Sequence, residues 1–83
     1  MSKADDAAIA AELRRLARER GADKTFCPSE VARAMASDWR PLMEDVRRVA
    51  GDLVSGGELR ATQKGVSADP VSATGPIRLA RAD

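Results

Sequence analysis

The side chains best suited to chemistry here are arginines, and their spacing suggests grip on an anion rather than a reaction. Arg40, Glu44, Arg47 and Arg48 recur at intervals of three and four residues, so a helix running through them carries all four on one side. A guanidinium is planar and permanently charged, and its fork bonds a phosphate or a guanine edge in two places. A second basic set lies nearer the C-terminus. Between Arg60 and Arg81 stand four basic residues, Arg60, Lys64, Arg78 and Arg81, against one acid, Asp69, while the rest of the chain is net acidic. Such a set can follow a phosphate backbone, which positions a protein without reading sequence. Each set has a plainer account. Glu44 and Arg48 are four residues apart and support a solvated helix, and Glu44 and Asp45 repel phosphate. Charges on an edge hairpin also guard it against aggregation.

Three other groups invite a role. Cys27 stands where a helix begins, and a thiol there can be activated as a nucleophile or redox sensor. Its neighbours Phe26 and Pro28 suggest a packed corner instead, where cysteine acts as a small apolar residue. Trp39 beside Arg40 could stack on a base, but in a chain with two aromatics it reads first as a core anchor. Glu30 and Arg33 have the ordinary readings of a helix cap and a surface ion pair. Histidine is absent and cysteine single, which excludes histidine-based triads and leaves too few soft ligands for a conventional zinc site. No carboxylate pair or phosphate-cradling glycine loop is visible, so no catalytic, cofactor or metal residues are assigned and the chain is read as a non-enzyme.

Length sets the scale on which these residues must be held. The chain has 83 residues, enough for one domain over 1–83 with a small core; it buries roughly 60% of its extended surface. Residues 1–5 read as disordered and 65–75 as a flexible wing loop. The charge of +1 is low for a sequence-independent DNA binder. No apolar run reaches the ~20 residues that span a bilayer, and the acidic start does not resemble a secretory leader. With one cysteine, a cytoplasmic location without membrane contact is expected.

The elements follow from periodicity and punctuation. Ile9, Leu13, Leu16 and Ala17 make one stripe of a first helix from about Asp6 to Arg20, stopped at Gly21. These residues serve the domain's own core, which leaves the oligomeric state unspecified. Phe26 ends a short extended piece, KTF, that could pair with the C-terminal ribbon. Cys27, Pro28 and Glu30 supply N-cap, first helical residue and capping-box acid for a short second helix ending near Ala36, with Val31, Ala34 and Met35 inward. Ser37 or Asp38 then caps a third helix over 39–55. Trp39, Leu42, Met43, Val46, Val49, Ala50 and Leu53 share its inner side, and Gly56 and Gly57 end it. Leu59 and Ala61 alternate with Arg60, Thr62 and Lys64, and Ile77 and Leu79 with Arg78 and Arg81, as two strands of a terminal hairpin.

The strings CPSEVAR, DWRPLM, VRRVAGDL, TQKG and GPIRL resemble the bacterial Domain of Unknown Function 3253 family over Ile9 to Leu79. The resemblance implies a winged-helix fold and carries no reaction, ligand or partner with it. Element order independently predicts an α+β winged helix-turn-helix: three helices and a C-terminal β-hairpin wing. The leading expectation is double-stranded DNA binding, with helix 39–55 in a groove and the basic wing on phosphates. The alternative is an adaptor that binds another protein through the same fold without nucleic acid.

Overall fold

The computed structural model describes residues 5–82. The expectation of disorder at the N-terminus falls outside that range except at Asp5, whose carboxylate accepts a hydrogen bond from the Ala8 N–H at 2.8 Å and caps helix α1, Asp6–Arg20. Ile9, Leu13, Leu16 and Ala17 are buried along α1 as their spacing requires. Gly21 ends it with φ 77° and ψ 175°, a backbone region essentially reserved for glycine.

Helix α2, Pro28–Met35, is set by its first turn. The Cys27 N–H donates to the Glu30 carboxylate at 3.0 Å, and the other oxygen of that carboxylate accepts from Arg20 at 2.6 Å. Glu30 thus ties the end of α1 to the start of α2. The inward side of α2 is Val31 and Ala32, with Met35 half-buried; Ala34, expected to face inward, is exposed. At 100° per residue Ala34 lies far round the helix from Ala32, and an alanine-rich stretch gives little signal of phase.

The third helix differs from one continuous α-helix over 39–55. Its entry is a 3-10 turn, Arg40–Leu42, closed by the Leu42 N–H on the Trp39 carbonyl at 2.9 Å, and helix α3 proper runs Met43–Ser55. Neither Ser37 nor Asp38 caps it, since the turn has no side-chain cap and begins at Trp39. Pro41, which has no N–H to offer, fits the tight first turn. Val46, Val49, Ala50 and Leu53 form the buried stripe of α3.

Strands β1 (Leu59–Gln63), β2 (Val66–Ser67) and β3 (Arg78–Arg81) form an antiparallel sheet in the order β2-β1-β3. This gives an α+β, winged-helix-like arrangement of three helices followed by the sheet. Ala61 opposite Leu79 faces the core; Arg60 opposite Ala80 and Thr62 opposite Arg78 share the outer face, where Ala80 is nonetheless covered. The KTF segment joins this sheet through one bridge, with Phe26 and Leu79 exchanging both backbone bonds at 2.7 Å. Phe26 is also the largest fully buried side chain, whereas Trp39 is only partly buried against the core.

The β1–β2 turn is Lys64–Gly65 with φ of 53° and 81°, the double left-handed geometry of a two-residue hairpin turn. Lysine tolerates that state less well than asparagine. Lys64→Asn should therefore raise stability by ~0.5 to 1 kcal/mol, read as a higher urea midpoint with an unchanged slope.

Glu30 carries a pH dependence. Its hydrogen bond from Arg20, followed by that from the Cys27 N–H, holds its carboxyl below the ordinary value of 4.5. A group depressed in the folded state stabilises fully above the unfolded value and loses that contribution as pH falls through the lower folded one. The denaturation midpoint should drop on acidification below about pH 4.5, and Glu30→Gln should make the drop shallower.

Candidate nucleic-acid interface

The surface expected to meet DNA consists of α3 and the ribbon, and the segment between β2 and β3 decides what each presents. After Ser67 the Ala68 N–H still bonds the Ala61 carbonyl at 3.0 Å, and the chain then leaves the sheet. Asp69 organises the departure: its carboxylate accepts from the Val71 N–H and its carbonyl from the Ala73 N–H, both at 2.9 Å. Pro70 is buried. The segment then runs across α3, where Gly51 gives it room. A β-carbon at Gly51 would come within 2.8 Å of the Val71 side chain.

Arg47 holds this segment down. Its guanidinium donates to the carbonyls of Pro70 at 2.8 Å, Ala73 at 2.7 Å and Gly75 at 3.3 Å. From the strand side, Gln63 donates to the carbonyls of Thr74 at 2.5 Å and Pro76 at 3.3 Å. Arg47, read from the sequence as one of the four residues of a groove-reading face, is half-buried and bonded to its own wing. Periodicity puts it on the exposed side of the helix; its partner, more than twenty residues away, has no periodic signature.

The remaining residues of the α3 set are exposed but not equivalent. Arg48 bonds both oxygens of Asp6 at 2.8 Å and approaches Asp45 at 3.3 Å, so two carboxylates compensate its charge and raise its affinity for its proton. Glu44 is exposed and lines a shallow cleft with Asp45, Arg47, Arg48 and Val71. Arg40 lies over the Trp39 ring, 4.7 Å from its centroid. Arg33 lies over the same ring at 4.5 Å, in place of the surface ion pair expected of it. No sequence rule links Arg33 to Trp39, because the α2–α3 turn intervenes.

The ribbon set divides in two. Arg60 and Arg78 reach from the outer face to the linker after α1. Arg60 donates to the Ala22 carbonyl at 2.5 Å, and Arg78 to the Thr25 hydroxyl at 2.9 Å and carbonyl at 3.1 Å. Lys64 is exposed in the turn and shares a cleft with Gln63, Thr74, Gly75, Pro76 and Arg78. Arg81 pairs with Leu59 at the far end of β1, roughly 13 Å of strand away, and lines a different groove with Arg14, Arg18 and Glu58. The structure thus brings Lys64 and Arg78 to one cleft, while Arg60, on the central strand, and Arg81 stand toward the other end of the ribbon.

Electrostatics across the described residues is a surface matter. None of their polar or charged side chains is buried. Ion pairs with Arg15 and Arg14 hold Glu12 and Glu58 below the ordinary carboxylate range. Cys27 is half-buried and its sulfur accepts from the Ser29 hydroxyl at 3.1 Å. No group of three or more histidine, cysteine or acidic side chains among the described residues is placed to hold a metal ion. No helix among them is long and apolar enough to cross a membrane.

Arg47→Ala should free the wing segment. Amide exchange at residues 70–75 should accelerate by an order of magnitude or more, while exchange in α1 changes little, because the three carbonyls lose a charged donor worth about 1.5–3 kcal/mol each at most. Hydrogen exchange followed by NMR checks this.

A family model described as Protein of unknown function (DUF3253) matches residues 6–82. The search of curated proteins finds no match to the chain.

Proposed function

Since the chain belongs to the Protein of unknown function (DUF3253) family, we propose on physical grounds that it is a non-enzymatic, cytoplasmic protein-interaction adaptor, built on the winged-helix-like frame and working without nucleic acid. The observation that carries this reading is the Arg47 clasp. With Arg47 on Pro70, Ala73 and Gly75, the side of α3 left open carries Glu44, Asp45 and Asp52 against Arg48, which is already paired with Asp6 and Asp45. A helix of that charge meets phosphate with repulsion. DNA affinity depends on several cations released from competing carboxylates, each displacing a counterion. The absence of buried charge among the described residues also supports a surface that binds rather than one that reacts, since catalytic groups are commonly tuned by burial.

One observation favours a second reading. Lys64 and Arg78 share a cleft at one edge of the ribbon, Arg60 lies on the same outer face as Arg78, and both arginines bond carbonyl or hydroxyl oxygens in place of carboxylates. That edge suits phosphate contacts that position a duplex without reading it.

Titration of the isotope-labelled protein with mixed-sequence duplex DNA at low salt distinguishes the two. The adaptor reading expects no shifted amides along α3. Shifts on α3 that vanish with added salt would overturn it. Shifts confined to residues 60–64 and 76–78, with a salt slope reduced by about 1 for each of Lys64→Ala and Arg78→Ala, would establish the second reading instead.

A further inference from the structure

We propose that Arg33, Trp39 and Arg40 form a preformed grip for the carboxylates of an acidic segment on a partner protein. This names the partner chemistry of the adaptor and rests on that reading.

Most arginines among the described residues are already engaged. Arg14, Arg15, Arg20 and Arg48 are bonded to carboxylates. Arg47, Arg60 and Arg78 are bonded to backbone carbonyls. Arg33 and Arg40, like the exposed Arg18, have no such partner, and they differ from Arg18 in sharing an aromatic ring. Both are exposed, and their guanidiniums lie over one indole ring at 4.5 and 4.7 Å from its centroid. Among the described residues neither has a carboxylate or carbonyl partner, and Asp38, the adjacent acid, makes no ion pair with them.

Stacking on an indole satisfies the face of a guanidinium and none of its N–H donors, which point outward in its plane. Each arginine therefore presents an open fork, and each fork matches one carboxylate in two bonds. Stacking also restrains two long side chains before any ligand arrives, so binding loses less rotamer entropy than it would at free arginines. Trp39 is itself held against the core by its partly buried ring. The three residues come from the end of α2 and the turn into α3, so the fold builds the grip; no sequence neighbourhood does.

The arrangement fits a short acidic segment better than a nucleic acid. A duplex carries a charge every ~1.7 Å of axis and rewards a continuous run of cations. Here Glu44 and Asp45 follow within about one helical turn of Arg40 and oppose extension of a polyanion. The ring already carries two guanidiniums, which leaves little face for a base to stack on.

Trp39 makes the test direct, because the chain has one tryptophan and no tyrosine. Its fluorescence is followed while the full chain is titrated with a blocked peptide of alternating glutamate and alanine, with the corresponding lysine–alanine peptide, and with mixed duplex DNA. The glutamate peptide should give a saturable change that weakens with salt. The Arg33→Ala/Arg40→Ala double variant should weaken it at least tenfold, and Arg33→Lys/Arg40→Lys should recover only part, since an ammonium has no fork. No saturable change with the glutamate peptide, or an undiminished one in a double alanine variant that melts like the parent, overturns the inference alone. Duplex DNA saturating below the peptide concentration, with loss in the double variant, overturns the inference and the adaptor reading together.

Discussion

The arrangement of this domain depends on Phe26. It is the largest fully buried side chain, and its backbone exchanges two hydrogen bonds with Leu79. One residue thus fills the centre of the apolar cluster and joins the linker between α1 and α2 to the edge of the sheet. A small domain has few ways to do this, because its core is only one side chain deep in places and each large residue touches several elements. Ile9 and Leu13 from α1, Val31 from α2, Val46 from α3 and Ile77 and Leu79 from the C-terminal strand region belong to the same cluster, all at most 1% exposed. Helices and ribbon are fixed relative to one another there, and the surface follows from that relation.

Charge is the second organising influence. A third of the chain is charged, yet none of the described charged side chains is buried. Many ion pairs instead staple elements together from outside: Arg14 to Glu58 joins α1 to the start of β1, Arg20 to Glu30 joins α1 to α2, and Arg48 to Asp6 joins α3 to α1. Exposed pairs of this kind each contribute little. Their effect is to decide which arginines remain available to an outside anion. The Arg47 contacts act in the same way on the wing, by making the segment after Asp69 part of the α3 surface. What is left open is acidic on α3, basic along one ribbon edge, and basic again at the α2–α3 turn around Trp39.

Much of this could be read in advance. The end of α1 and the start of α2 lie where capping chemistry indicates, because Gly21, Pro28 and Glu30 act within a few residues of where they stand. The pairing of β1 with β3 follows from alternation of Leu59 and Ala61 with Arg60 and Thr62. The 3-10 entry to α3 and the exposure of Ala34 were not legible, since both turn on small differences of phase in segments poor in large apolar residues. The site was legible in composition and not in arrangement. Arg48, Arg60 and Arg78 are exposed where periodicity puts them on their elements, but Asp6, the 70–75 carbonyls and the linker after α1 meet the arginines only because the chain doubles back.

Most local order, then, was settled by the sequence alone: the three helical stretches, the strands at Leu59 and Arg78, most of the apolar positions, and that the chain carries the marks of the Protein of unknown function (DUF3253) family. These depend on interactions spanning four residues or fewer. Tertiary structure decided which arginines are engaged, that Arg33 and Arg40 share one indole, and that Arg81 stands apart from Lys64. Those outcomes depend on contacts between residues far apart in the chain, and a guanidinium's partner is chosen by the direction and reach of its side chain once the core has closed.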